Sequence, residues 1–248
     1  MAQVDATLKE DARRFLLRAQ EELTAGFPEK FELRKIVREA VSTENGSMPE
    51  SSDPQTAFLH AYLIPRIFAL VRTSGDIRAD DARQSLLCRG HEHVSEYSSA
   101  SPARTEVHPF TKFLNATTAD LRSRWIADDK KPLARTCPDF ALRAPFPFNI
   151  VFATKYFERG SIERAARDLV NAICETFFYR ALPYVPPRAS APAWDYDFGC
   201  LIACDVSYDG ALMAAWDSIS ESVKRSLWNG AGVHVMFLQP PARRAHSS

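Results

Sequence analysis

The sequence is short of the features that mark several large protein classes. Its 248 residues include five cysteines, Cys88, Cys137, Cys174, Cys200 and Cys204. The number is odd and no pair has CxxC spacing, which argues against a zinc ribbon and against a secreted disulfide framework. Neither sign of charge is in excess, with 31 Lys and Arg against 31 Asp and Glu. No global field therefore draws the chain to polyanions, and nucleic-acid binding would have to rest on a local basic patch. No run approaches the roughly 18 apolar residues of a membrane span. The start, MAQVDATLKEDARR, is polar and has no apolar signal core. A soluble, cytoplasmic chain without membrane contact is the expectation. GxSxG, HExxH, Walker A and GxGxxG are all missing, which argues against the hydrolases, zinc proteases, NTPases and dinucleotide enzymes that use them.

What is present is globular. With 46% hydrophobic and 25% charged residues, the composition is globular, and the length fits one large domain or one domain with a helical appendage. From Asp5 as N-cap, Leu8, Ala12, Phe15, Leu16, Ala19 and Leu23 recur at helical spacing, and Gly26 and Pro28 close the segment. A second helix is expected over 29–41, a loop over 42–54, and an apolar helix over 55–72 that Pro65 kinks or ends. His60 reads there as a packed histidine. In the His91-Glu92-His93 run the two histidines would share a face only on a strand, and a metal site there would need further ligands. Residues 117–126 look like a helix capped by Thr117 or Thr118.

Beyond about residue 130 the pattern turns to alternating strands and helices. Strands are expected over 137–145 and 147–157, a helix over 161–182, a Pro-rich loop over 182–194, a buried strand over 198–207, a helix over 209–227 and a last strand over 232–239. Ile162, Ala166, Leu169, Val170, Ile173 and Phe177 form the apolar stripe assigned to the first of these helices. Cys200 and Cys204 read as core thiols. This order implies an α/β sheet with helices packed on it.

The pair that bears on chemistry is Pro138-Asp139 on one short strand and Lys155 near the end of the next. Two antiparallel strands joined by a tight turn would place a carboxylate and an amine at one sheet edge. That pairing suits metal-assisted phosphodiester hydrolysis, with the acid on Mg²⁺ and the lysine beside the nucleophile.

Pro-Asp, then an apolar strand ending in x-x-Lys, then a long amphipathic helix resembles the PD-(D/E)XK nuclease superfamily, the restriction-endonuclease-like fold. The resemblance covers roughly residues 110–240, with the motif confined to 138–155. It implies a mixed central sheet flanked by helices over 109–240, preceded by a mainly helical region (1–108) and followed by a flexible tail (241–248). It also implies a DNA endonuclease using Mg²⁺, with Mn²⁺ as substitute, in restriction or phage defence, acting with a second copy or a partner subunit. Asp139 would be the first metal ligand, the Thr154 carbonyl a further one and Lys155 the catalytic lysine. Position 153 departs from the pattern, because Ala153 stands where the family has Glu or Asp. Three explanations stay open: an engineered inactive variant, an acid moved to the following helix (Glu163 or Glu175), or a naturally silent nuclease fold that binds DNA or a protein. Asp205, Glu44, Glu92 and Glu96 are candidate accessory acids. Arg164, Arg167 and Asn171 share one helical stripe that would face DNA phosphates.

Overall fold

The protein is described by a computed structural model over residues 5–27, 62–74, 85–88, 138–181, 195–207 and 209–239. The expected helices over 29–41 and 117–126, the loops over 42–54 and 182–194, the tail, and His60, His91, His93, Glu44, Glu92 and Glu96 lie outside these residues.

Helix α1 (Ala6–Ala25) begins as its sequence directs. The Asp5 carboxylate accepts the Thr7 N–H at 2.7 Å, and the helix ends at Gly26. Its buried residues are Ala12, Phe15, Leu16, Ala19 and Leu23, the stripe read from spacing. Helix α2 (Ile64–Thr73) carries Pro65 in its first turn. A proline is tolerated there because its missing N–H would have no partner within that first turn, and Tyr62 and Leu63 directly before the helix form a π-helical turn.

Five strands form one mixed sheet in the order β1 (Leu86–Cys88), β2 (Phe140–Leu142), β3 (Ile150–Phe157), β4 (Phe198–Asp205) and β5 (Val233–Leu238). β2 runs antiparallel to both β1 and β3, whereas β3, β4 and β5 are mutually parallel. The parallel strands are linked through α3 (Ile162–Ala181) and through α4 (Ala211–Asp217) with α5 (Glu221–Asn229). The single helix expected over 209–227 is thus two helices, separated at 218–220. β1 went unread in the sequence, because three residues carry no period.

The sheet separates two apolar layers. On one face, Phe140, Leu142, Ile150, Phe152, Phe198, Cys200, Ile202, Cys204, Met236 and Leu238 pack against α1 and α2. On the other, Ala141, Val151, Ala153, Leu201, Ala203 and Val235 pack against α3 and α4. All eight residues of β4 are buried, as expected for a strand with parallel neighbours on both sides and helices on both faces. The result is an α/β protein with a mixed central sheet flanked by helices.

The buried stripe of α3 differs from the expected one. Ala165, Leu169, Ala172, Ile173, Thr176, Tyr179 and Arg180 face inward. Ile162, Val170 and Phe177 face outward. The helix is rotated so that its small residues lie on the sheet. Close approach decides this, since a Cβ on Gly199 of β4 would meet Thr176 and Arg180 at 3.1–3.3 Å.

Candidate active site at the β2–β3 edge

Asp139 precedes β2 by one residue, where the chain leaves the regular ladder. Phe140 pairs with Phe152, yet the Asp139 N–H also donates to the Phe152 carbonyl at 3.1 Å. That one-residue slip swings the Asp139 side chain toward β3. Its Oδ2 accepts the Thr154 backbone N–H at 2.6 Å, the place where a regular partner strand would offer a carbonyl. A residue's N–H and C=O point to the same side of a strand. The Thr154 carbonyl therefore faces the same edge as the Asp139 carboxylate. The charge on Asp139 reaches across β3 as well: burial first, and then this carboxylate, raise the Cys204 thiol, so that it stays protonated.

Lys155 follows Thr154 directly and is exposed, while its neighbours on β3 up to Ala153 are buried. Asp139 and the Thr154 N–H are joined directly, whereas strand alternation puts the Lys155 side chain on the sheet face of Ala153, opposite that of Thr154. Ala153 is a different matter. It is 7% exposed and packs in the apolar layer with Val151, Ala165 and Leu169. The methyl group has apolar neighbours.

Whether these residues suit a divalent ion depends on the donor set. Mg²⁺ takes oxygen ligands and is commonly held by one or two carboxylates plus substrate phosphates. Asp139 and the Thr154 carbonyl supply one carboxylate and one neutral oxygen. The Thr154 hydroxyl adds a buried oxygen with no hydrogen-bond partner among the described residues. Those residues contain no group of three or more His, Cys, Asp or Glu side chains that could hold a metal. The set fits an ion completed by a substrate, not a closed protein site.

The alternative acids are engaged elsewhere. Glu163 sits in the exposed first turn of α3, where its backbone N–H and then the Ser161 hydroxyl lower its carboxyl pKa. Glu175 accepts the Tyr179 hydroxyl at 2.7 Å. Asp205, buried at the end of β4, accepts the Ser207 N–H and hydroxyl at 3.1 and 2.9 Å. It is level with Phe157, beyond the Lys155–Ala203 pair. On α3, Arg164, Arg167 and Asn171 are all exposed, and both guanidinium groups share Asp168, at 3.8 and 3.9 Å.

One feature was missed in the sequence. At the carboxyl ends of β3 and β4 lies an open crevice of about 550 Å³, lined in part by Arg159, Ser161, Ile162 and Asp209. Asp209 bridges its two walls, accepting Ala211 N–H at 3.0 Å and Gly160 N–H at 3.4 Å. The Ala211 bond is the main cause that keeps this carboxyl below its ordinary range, with Ser207, Gly160 and Arg159 helping. The sequence signal was the short polar turn between each parallel strand and its helix, where such crevices form. No described helix is long and apolar enough to cross a membrane. Compared with protein-family models, curated proteins and solved structures, the chain matches none.

Proposed function

We propose that this chain is a Mg²⁺-dependent DNA endonuclease of the PD-(D/E)XK kind, with its hydrolytic step disabled at position 153. The observation that carries the reading is the 2.6 Å bond from Thr154 N–H to Asp139 Oδ2, which joins the two halves of Pro138-Asp139 … Ala153-Thr154-Lys155. The mixed sheet between helical layers supports it, being the architecture the motif implies. Asp139 and the Thr154 carbonyl would hold Mg²⁺, leaving positions for phosphate oxygens and water. When bound, the ion polarises the phosphoryl group and lowers the pKa of a bound water. Lys155 stands beside the attacking water and offsets developing charge, while Arg164, Arg167 and Asn171 contact flanking phosphates. Restriction or phage defence, and action with a second copy or partner subunit, belong to the same proposal.

A second reading, a silent nuclease fold that binds DNA or a protein, is favoured by one observation. Ala153 is sealed in an apolar layer, and an ionised carboxylate there would be desolvated at a cost of several kcal/mol. The two readings separate in one experiment. Ala153→Glu, with the shorter Ala153→Asp beside it, is assayed for cleavage of several duplex DNAs with Mg²⁺ or Mn²⁺. The nuclease reading predicts metal-dependent cleavage that disappears again when Lys155→Ala is added. A folded Ala153→Glu protein that cuts no duplex would leave the silent reading in its place.

A further inference from the structure

The seam between α1, β5 and α5 contains a titratable group that the proposed activity does not use. His234 lies on β5 opposite Cys200 of β4. Its ring meets the Trp228 ring of α5 edge-on at 6.0 Å, and Trp228 in turn stacks on Phe198 at 5.1 Å. Over this stack runs α1. Lys9 donates to the Asn229 carbonyl at 2.8 Å and sits 5.8 Å from the Trp228 ring centre. Arg13, one turn further along α1, is close enough to act on the imidazole by its charge. The Nε2 of His234 is buried and has no hydrogen-bond partner among the described residues.

We infer that His234 is an acid-sensitive latch for α1: in its neutral form it lets the helix rest on β5, and its protonation loosens the helix from the sheet. Of the groups around the imidazole, the charge that acts on it opposes a second proton. From α1 come Arg13 and, through the Trp228 stack, Lys9. From β4 comes Cys200, whose thiol burial holds protonated. From α5 comes the Trp228 ring, nearly perpendicular to the imidazole. An imidazolium would bring a new N–H donor to an unpartnered position and a further positive charge beside α1's own cations. Burial first, then Arg13, lower the His234 pKa to about 4 from an ordinary 6.5. Because the undocked form binds the proton more readily, docking weakens as pH falls. The loss starts near the ordinary pKa and is complete below about 4.

Hydrogen exchange by mass spectrometry on the full chain, at about pH 7 and about pH 4.5 and corrected for intrinsic rates, tests the latch. The expected result is a selective loss of protection in Ala6–Ala25 on acidification, by some tens of fold, while β3 and β4 keep theirs. In His234→Phe, which keeps a ring against Trp228, the selective loss disappears. His234→Gln serves as the second non-titrating variant should the phenyl ring disturb the packing. Equal loss across α1 and the central strands, no loss at all, or a loss that persists in both variants would overturn the inference.

Discussion

Thr154 gives its backbone N–H to a carboxylate where the ladder would ordinarily supply a carbonyl, and this substitution defines the β2–β3 edge. A charged acceptor makes such a bond roughly twice as strong as a neutral one, so Asp139 is tied to the middle of β3 by chemistry as well as by register. A comparable residue-scale device closes the opposite end of the sheet. Arg180, at the end of α3, is buried and donates from Nε to the Asp197 carbonyl at 3.0 Å. Burial lowers its pKa, with Asp197 opposing, and the group stays cationic. The guanidinium lies against Gly232, whose φ is +63° and where an added Cβ would stand 2.8 Å from Arg180 Nε. Gly232→Ala therefore meets a backbone penalty and a clash together. It should lower stability by about 1–3 kcal/mol in urea unfolding. A melt unchanged from the parent would mean that Arg180 does not hold this corner.

At the scale of the element, α3 carries the most informative disagreement between sequence and structure. Its large residues Ile162, Val170, Phe177 and Phe178 are exposed, while Ala165, Ala172 and Thr176 lie on the sheet. Two substitutions separate the expected stripe from the observed one. Leu169→Ala removes a fully buried side chain and should cost about 2–5 kcal/mol. Val170→Ala, at a position 49% exposed, should stay within about 0.5 kcal/mol. The reverse order in thermal or urea melts would contradict the packing.

The cause of the disagreement also marks how far the sequence could be read. Strand β4, with FGCLIACD buried on both faces, and helix α1, with its Asp5 cap, announce themselves through burial pattern and end chemistry. The rotation of α3 depends on Gly199 and Thr176 meeting across elements, which no local pattern records. β1 and the break at 218–220 lack a period for the same reason: tertiary pairing fixes them. At the edge, residue types pointed to Asp139, Thr154 and Lys155. The slip that turns the Asp139 carboxylate onto Thr154 N–H, and the sealing of Ala153 under α3, required coordinates.

Taken whole, the molecule places the candidate site where the sheet changes direction. β2 is antiparallel to its neighbours, so its entry meets the middle of β3 at an edge that the helical layers leave partly open. The layer beneath position 153 is apolar, and Asp139 is the carboxylate that reaches that edge. Everything proposed for function requires Asp139 to hold a divalent ion in that place. Mn²⁺ titration followed by electron paramagnetic resonance, on the parent chain, Asp139→Asn, Ala153→Glu and Ala153→Glu with Asp139→Asn, measures this directly. Asp139→Asn keeps an oxygen for the Thr154 N–H, so the fold should survive. The account predicts weak binding in the parent, binding at least about tenfold tighter in Ala153→Glu as a second carboxylate joins, and loss of both when Asp139→Asn is introduced. Mn²⁺ affinity indifferent to Asp139 in every background would contradict it.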